Sequence, residues 1–175
     1  MSELSIIYDH LRYKIVRRTR PLTIHTEALH KDSVWAAVRQ WVEAGHKAVW
    51  YVLAPQNWDF VVAEMGVSLS KKEYEKVLLD RYRWLQANGQ DIQAQVHLRI
   101  LPQMYESEAE EKKDLEEKIS GSIQWLKNNN FPVNKIVFGW WSSNQQAIGL
   151  AKKAGCEPIR RRDHYFIHDY DFVRK

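Results

Sequence analysis

Cysteine is almost absent from this chain, with Cys156 the single example among 175 residues. One thiol forms no internal disulfide and builds no paired-thiolate metal site. Cys156 follows Gly155 after a helix-like segment and has no base beside it, so it reads as a buried or incidental thiol. Glycine and proline are also sparse, at seven and five residues. No repeat or low-complexity segment is present. No apolar run is long enough to span a bilayer, and the polar N-terminus lacks the apolar core of a signal peptide. We therefore expect a cytoplasmic protein with no membrane partner.

Tryptophan is abundant, with eight residues beside eight tyrosines and five phenylalanines. That content predicts a thick aromatic core or a stacking surface, and both sugars and bases stack on indole. Apolar content of 45% and charged content of 27% are ordinary for a soluble domain. The net charge of +4 is uneven, with Arg17, Arg18 and Arg20 near the start and Arg160, Arg161 and Arg162 near the end. Such triplets are more often solvated loops, and nucleic acid is the partner they would otherwise grip. The acidic stretch over 106–117 carries lysines at i,i+4 spacing and reads as an exposed helix face.

The length fits a single domain over 1–175, with a basic N-terminal extension over 1–20 and a core over 21–172. The extension holds only a weak strand signal, Tyr13-Lys14-Ile15-Val16. Five strand-like runs follow, at 22–27, 48–54, 91–100, 135–140 and 164–172. Helices are expected over 32–44, over 70–88, over 107–128 and over 143–154, with 56–69 an irregular connection. Asp32 or Ser33 is the expected cap of the first helix; Val34, Trp35, Val38, Trp41 and Val42 form its apolar stripe. Ser70 and Glu73 form a capping box for the second, and Gly89 stops it. Strands alternating with helices predict a parallel sheet in an α/β fold, either doubly wound or a short barrel. The chain falls well short of the ~250 residues of a complete (β/α)₈ barrel.

Chemistry-bearing residues collect at strand ends. In Asp91-Ile92-Gln93-Ala94-Gln95-Val96-His97-Leu98-Arg99-Ile100, Gln93, Gln95, His97 and Arg99 share one face. His25 and Glu27 close the first run, Trp140 and Trp141 the fourth, and His168 and Asp169 lie on the last. In a parallel sheet these carboxyl ends converge on one rim. Alternation sets His168 on the face opposite Asp169 and Asp171, so the last strand turns one or the other inward. His10, His30, His46 and His164 have no such partners and read as surface or loop residues.

The passage Trp84-Leu85-Gln86-Ala87-Asn88-Gly89-Gln90-Asp91-Ile92-Gln93-Ala94-Gln95-Val96-His97-Leu98 resembles the polysaccharide deacetylases of the NodB-homology type. Ala48-Val49-Trp50-Tyr51-Val52-Leu53 is similar to their second strand. Phe138-Gly139-Trp140-Trp141, Asn144 and Lys153-Ala154-Gly155 resemble their substrate-lining segment and the helix after it. The resemblance implies an incomplete or distorted β/α barrel of about five parallel strands. It also implies a metal-dependent hydrolase of N-acyl sugars or related amides, using a divalent ion, zinc by preference. Carried onto this chain, it gives Glu27, His97 and His25 as metal ligands and His25, Glu27, His168 and Asp169 as catalytic groups. Gln95, Arg99, Trp140, Trp141 and Asn144 would line the substrate, a carbohydrate or other N-acylated small molecule. Where the family has paired aspartates this chain has His25-Thr26-Glu27, and Gln95 stands at one of two histidine places.

Two other functions compete. The replaced residues suit a catalytically inactive barrel kept as a carbohydrate- or nucleic-acid-binding module. The tail Asn144-Gln145-Gln146-Ala147 through Lys153-Ala154-Gly155 also looks like the end of an acyl-CoA-dependent N-acetyltransferase. The pyrophosphate loop of that fold would fall on Gln103-Met104-Tyr105-Glu106-Ser107-Glu108, acidic and without glycine. A barrel with an open edge suggests pairing with a second copy, and a homodimer is the expected assembly.

Overall fold

In the computed structural model, residues 22–98, 106–141, 143–160 and 165–173 are described. Strands β1 (Leu22–Thr26), β2 (Val49–Leu53), β3 (Asp91–Val96), β4 (Lys135–Phe138), β5 (Glu157–Pro158) and β6 (Tyr165–His168) form one sheet in the order β5-β4-β3-β2-β1-β6. Every pairing is parallel. The sheet curls into a half-barrel, the architecture expected from the sequence, with a sixth strand added by the two-residue β5. That strand is too short for an alternation pattern to register.

The helices are α1 (Asp32–Glu43), α2 (Trp58–Met65), α3 (Lys71–Ala87), α4 (Glu108–Leu115), α5 (Ser122–Asn128) and α6 (Gln145–Lys153). The capping box of α3 forms as expected, with Glu73 N–H donating to Ser70 Oγ and Ser70 N–H to Glu73 Oε2. Gly89, at φ +71°, takes the left-handed turn beyond its end. Elsewhere tertiary packing revises the reading. Helix α1 starts at Lys31 with no side-chain cap, not on Asp32 or Ser33. Its stripe does face the core, where Val34, Val38 and Val42 are buried. Residues 56–69 are less irregular than expected, holding a 3₁₀ turn (Pro55–Asn57) and α2. Only Val61 of α2 is buried, so no apolar stripe announces that helix. The expected helix over 107–128 is present but contains a π-helical segment, Glu116–Gly121, between α4 and α5.

Both faces of the sheet are covered, as a parallel sheet requires. On β3, Ile92, Ala94 and Val96 join the apolar core, while Gln93 and Gln95 are buried on the opposite face. Register lines up polar side chains across that second face, with His168 beside His25, His25 beside Tyr51, and Tyr51 beside Gln93. Much of the tryptophan content is structural, since Trp50 is buried and Trp35 packs edge-on against Trp84. Cys156 is buried as expected, and burial pushes its thiol up despite Lys127 nearby. Among the described residues no helix is long and apolar enough to cross a membrane.

His30, read as a surface residue, is instead buried, 5.6 Å from the Tyr74 ring, with Nδ1 unpartnered. Burial, then the charges of Lys31 and Arg81, lower its pKa to about 4. The folded chain therefore binds its proton less tightly than the unfolded chain does. The stability tied to neutral His30 is full above the ordinary histidine range and is lost as pH falls toward 4. Urea midpoints of the wild type and His30→Gln should show this loss between pH 7 and pH 4 in the wild type alone.

Candidate functional site

The first candidate, Glu27, leaves the end of β1 where Asp169 grips the backbone. Asp169 is fully buried and its Oδ1 accepts the N–H groups of Glu27 and Ala28, each at 3.1 Å. Its Oδ2 accepts Ala28 N–H at 2.9 Å. Burial pushes the Asp169 carboxyl up to about 7, against the downward pull of those amides. β6 stops at His168, and Asp169 begins a 3₁₀ turn (Asp169–Phe172). The strict alternation expected over 164–172 therefore ends at His168, and His168 and Asp169 both approach Glu27.

His97 lies just past β3, and its Nε2 is 3.1 Å from Glu27 Oε1. Gln95 Nε2 is 3.3 Å from the same oxygen and 3.0 Å from His97 Nε2. His168 Nε2 stands 4.0 Å from Glu27 Oε1. Burial pushes the Glu27 carboxyl up. The hydrogen bond from His97 and the charges of His97, His168 and His25 outweigh it and hold the group below the usual range. Glu27 is thus a carboxylate, and hydrogen-bond logic assigns the His97 proton to Nε2.

The His97 ring is fixed on every side. Phe60 stacks on it face to face at 3.6 Å, and Trp140 meets it edge-on at 5.0 Å. Its backbone N–H donates to Asn57 Oδ1 at 2.8 Å. Its Nδ1 is buried and unpartnered, pressed toward Gly139, where a Cβ would come within 2.1 Å of it. Only Glu27, of this pair, reaches the open cleft of about 420 Å³ that is also walled by Lys31, Ser33, Phe60, Trp140 and Tyr170. Trp140 and Trp141 hold positive φ, 52° and 58°, a conformation that costs a non-glycine residue about 1–2 kcal/mol each. Trp140 remains 59% exposed there, so the strain presents an indole to solvent over the cleft.

The other expected residues are more scattered. His25 sits among Phe166, Trp141, Tyr51 and His168, with ring centroids 5.1–5.7 Å away. Asn144 caps α6, its Oδ1 accepting Ala147 N–H and its amide donating to Glu111. Arg99 lies outside the described residues, as do Arg17, Arg18, Arg20, Arg161, Arg162 and Gln103 through Tyr105. Arg160 lines a second cleft, about 280 Å³, beside Lys152, Glu157 and Trp141. Sequence reasoning missed Asn57, Phe60 and Gly139. The signal at Gly139 was a glycine inside the strand-like run 135–140, which often marks close approach of another group. Asn57 and Phe60 fell in the stretch read as irregular.

A metal finds an incomplete set of donors. The 3.1 Å between Glu27 Oε1 and His97 Nε2 suits two ligands of one ion with bonds of about 2.0–2.2 Å. A catalytic zinc takes about three protein ligands. Among the described residues no three His, Cys, Asp or Glu side chains are placed to share one ion. The arrangement does not fit the metal that the resemblance implies.

Gly139→Ala should force the His97 ring aside and cost about 1–3 kcal/mol in urea unfolding. His97→Ala in the same chain should recover part of that loss, since it removes the clashing ring. Additive costs would show that the two residues are not in contact.

No family profile matches the sequence, and no curated protein matches it. Among solved structures, a family 4 carbohydrate esterase from Streptomyces lividans in complex with acetate superposes with a TM-score of 0.50 and 15% identity. The match covers 80% of this chain, which spans 60% of that one. What this chain shares with that carbohydrate esterase is the half-barrel fold.

Proposed function

We propose that the cleft binds a carbohydrate and that Glu27 removes an acyl group from it. The observation that carries this reading is the Glu27 carboxylate, anchored by His97 and opening into a cleft walled by aromatic rings. Support for the substrate class comes from the carbohydrate esterase of like fold and from exposed Trp140, whose ring offers a sugar its apolar face.

The chemistry follows from which atoms are free. His97 Nδ1 is sealed and Nε2 is spent on Glu27, so His97 orients the carboxylate and balances its charge. Glu27 takes a proton from a water as that water attacks the acyl carbon. The tetrahedral intermediate then collapses, and the departing sugar oxygen or nitrogen receives the proton back. His168, near the same carboxylate, is the second group able to carry it. Zinc, the expected ion, would raise the acidity of that water, but the donors here do not complete a site for it.

Release of acetate from O-acetylated xylo-oligosaccharides and N-acetylated chito-oligosaccharides tests the proposal. Glu27→Gln should lower kcat by about 10²–10⁴-fold, the usual worth of a general base. Trp140→Ala should raise KM roughly 2- to 12-fold, the equivalent of about 0.5–1.5 kcal/mol of ring contact. Since Glu27 is held below the usual carboxylate range, the acid limb of the rate profile should lie below that range. A wild type that releases no acetate from either substrate sinks the hydrolase reading.

A second reading, a binding module without catalysis, is favoured by the incomplete donor set. It expects oligosaccharide binding that survives Glu27→Gln and fails in Trp140→Ala. Binding through Arg160 and Lys152 to nucleic acid would instead weaken steeply with salt, which sugar stacking does not. Isothermal titration at two salt concentrations separates these cases.

A further inference from the structure

We infer that Gln95 fills the cation's place in this site, so that Glu27 is balanced by two N–H donors and takes no divalent ion. This deepens the reading of Glu27 as the working carboxylate and rests on it. Gln95 is fully buried on β3, two residues before His97 on the same face. Its Nε2 lies 3.3 Å from Glu27 Oε1 and 3.0 Å from His97 Nε2, which are 3.1 Å from each other, so the three atoms ring one small gap. A primary amide nitrogen carries only donors and turns its positive end toward that gap. An ion there would meet the same end and be repelled.

The amide could in principle be reversed, and the carboxylate decides against it. Turned round, Gln95 Oε1 would accept the His97 Nε2–H but would face Glu27 Oε1 with no proton between them. In the orientation described, Oε1 is the unpartnered atom and the charged group keeps its donor. Leaving a carboxylate short of a donor costs more than leaving a neutral carbonyl unpaired. With the His97 proton on Nε2, Gln95 Nε2 and His97 Nε2 are both donors, and both aim at Glu27 Oε1 rather than at each other across their 3.0 Å separation. Two donors, one on β3 and one just past it, therefore aim at the same Glu27 oxygen, Oε1, on the side where an ion would have to sit.

Calorimetric titration with Zn²⁺ and Mn²⁺, paired with thermal unfolding in metal or chelator, tests this without reference to hydrolysis. The wild type should show no one-to-one binding and no metal-dependent shift in Tm. Gln95→Glu should place a second carboxylate beside Glu27 and His97. It should unfold at lower temperature in chelator and gain a Tm rise with Zn²⁺ that His97→Ala abolishes. Gln95→Met, of similar length and uncharged, keeps the measurement open if Gln95→Glu does not fold. It should lose stability equally with metal and with chelator. One-to-one binding by the wild type that disappears in His97→Ala overturns the inference, as does a Gln95→Glu chain indifferent to metal and as stable as the wild type. Absence of acetate release would count against the proposed function alone and leave this result standing.

Discussion

Keeping Glu27 ionised while it is largely shut off from water is the constraint on which the rest of the site depends. A carboxylate left unpaired in such a place would take up a proton and become inert. The partners that prevent this come from β3, yet β1 and β3 are not neighbours, because β2 lies between them. Backbones two strands apart are separated by about 9–10 Å in a sheet. Long side chains rising from a concave surface close that gap, and His97 and Gln95 on one side and Glu27 on the other are such chains. Curling of the sheet and the contact between His97 and Glu27 are thus one requirement seen at two scales.

The remaining contacts hold this arrangement still. Asp169 fixes the backbone under Glu27 rather than entering the cleft, so a buried acid serves as a clamp for an acid that is less buried. Phe60 and Trp140 take away the freedom of the His97 ring, and Asn57 holds its backbone. Gly139 is the space into which that ring backs. Two tryptophans in left-handed conformation directly after it are a local cost, and the packed aromatic cluster around His25 and Phe166 compensates for Trp141. Trp140, by contrast, spends its strain at the surface.

The fold was legible because its signals are periodic: a strand-like run starting every 26 to 44 residues, a capping box at Ser70 and Glu73, and a glycine past α3. The rim residues were legible because parallel strands bring their carboxyl ends together, and Glu27, Gln95, His97 and His168 do meet there. What stayed hidden depends on contacts between distant residues. Nothing near Asp169 says that it will bind amides 142 and 141 residues away. Nothing near Asn57 points to the His97 backbone. The 3₁₀ turn after His168 breaks an alternation that the letters continue unbroken. His30 misled for a similar reason, since its burial comes from helix packing rather than from its own neighbours.

The direction in which His97 faces limits what chemistry the site can support. A histidine that relays protons needs one nitrogen toward its orienting acid and the other toward the substrate. Here the first condition is met by Glu27 and the second is closed, because Nδ1 lies against the Gly139 backbone with no room for a reacting group. The roles therefore invert relative to a triad: the imidazole orients, and the carboxylate is left to face the cleft. An acid held low by its partners is a modest base, which favours a water that needs only steering and an acyl group that is already reactive. Under the proposed acyl hydrolysis, that argument favours esters of sugar hydroxyls over the more resistant amides, even though the resemblance in sequence points first to N-acyl groups.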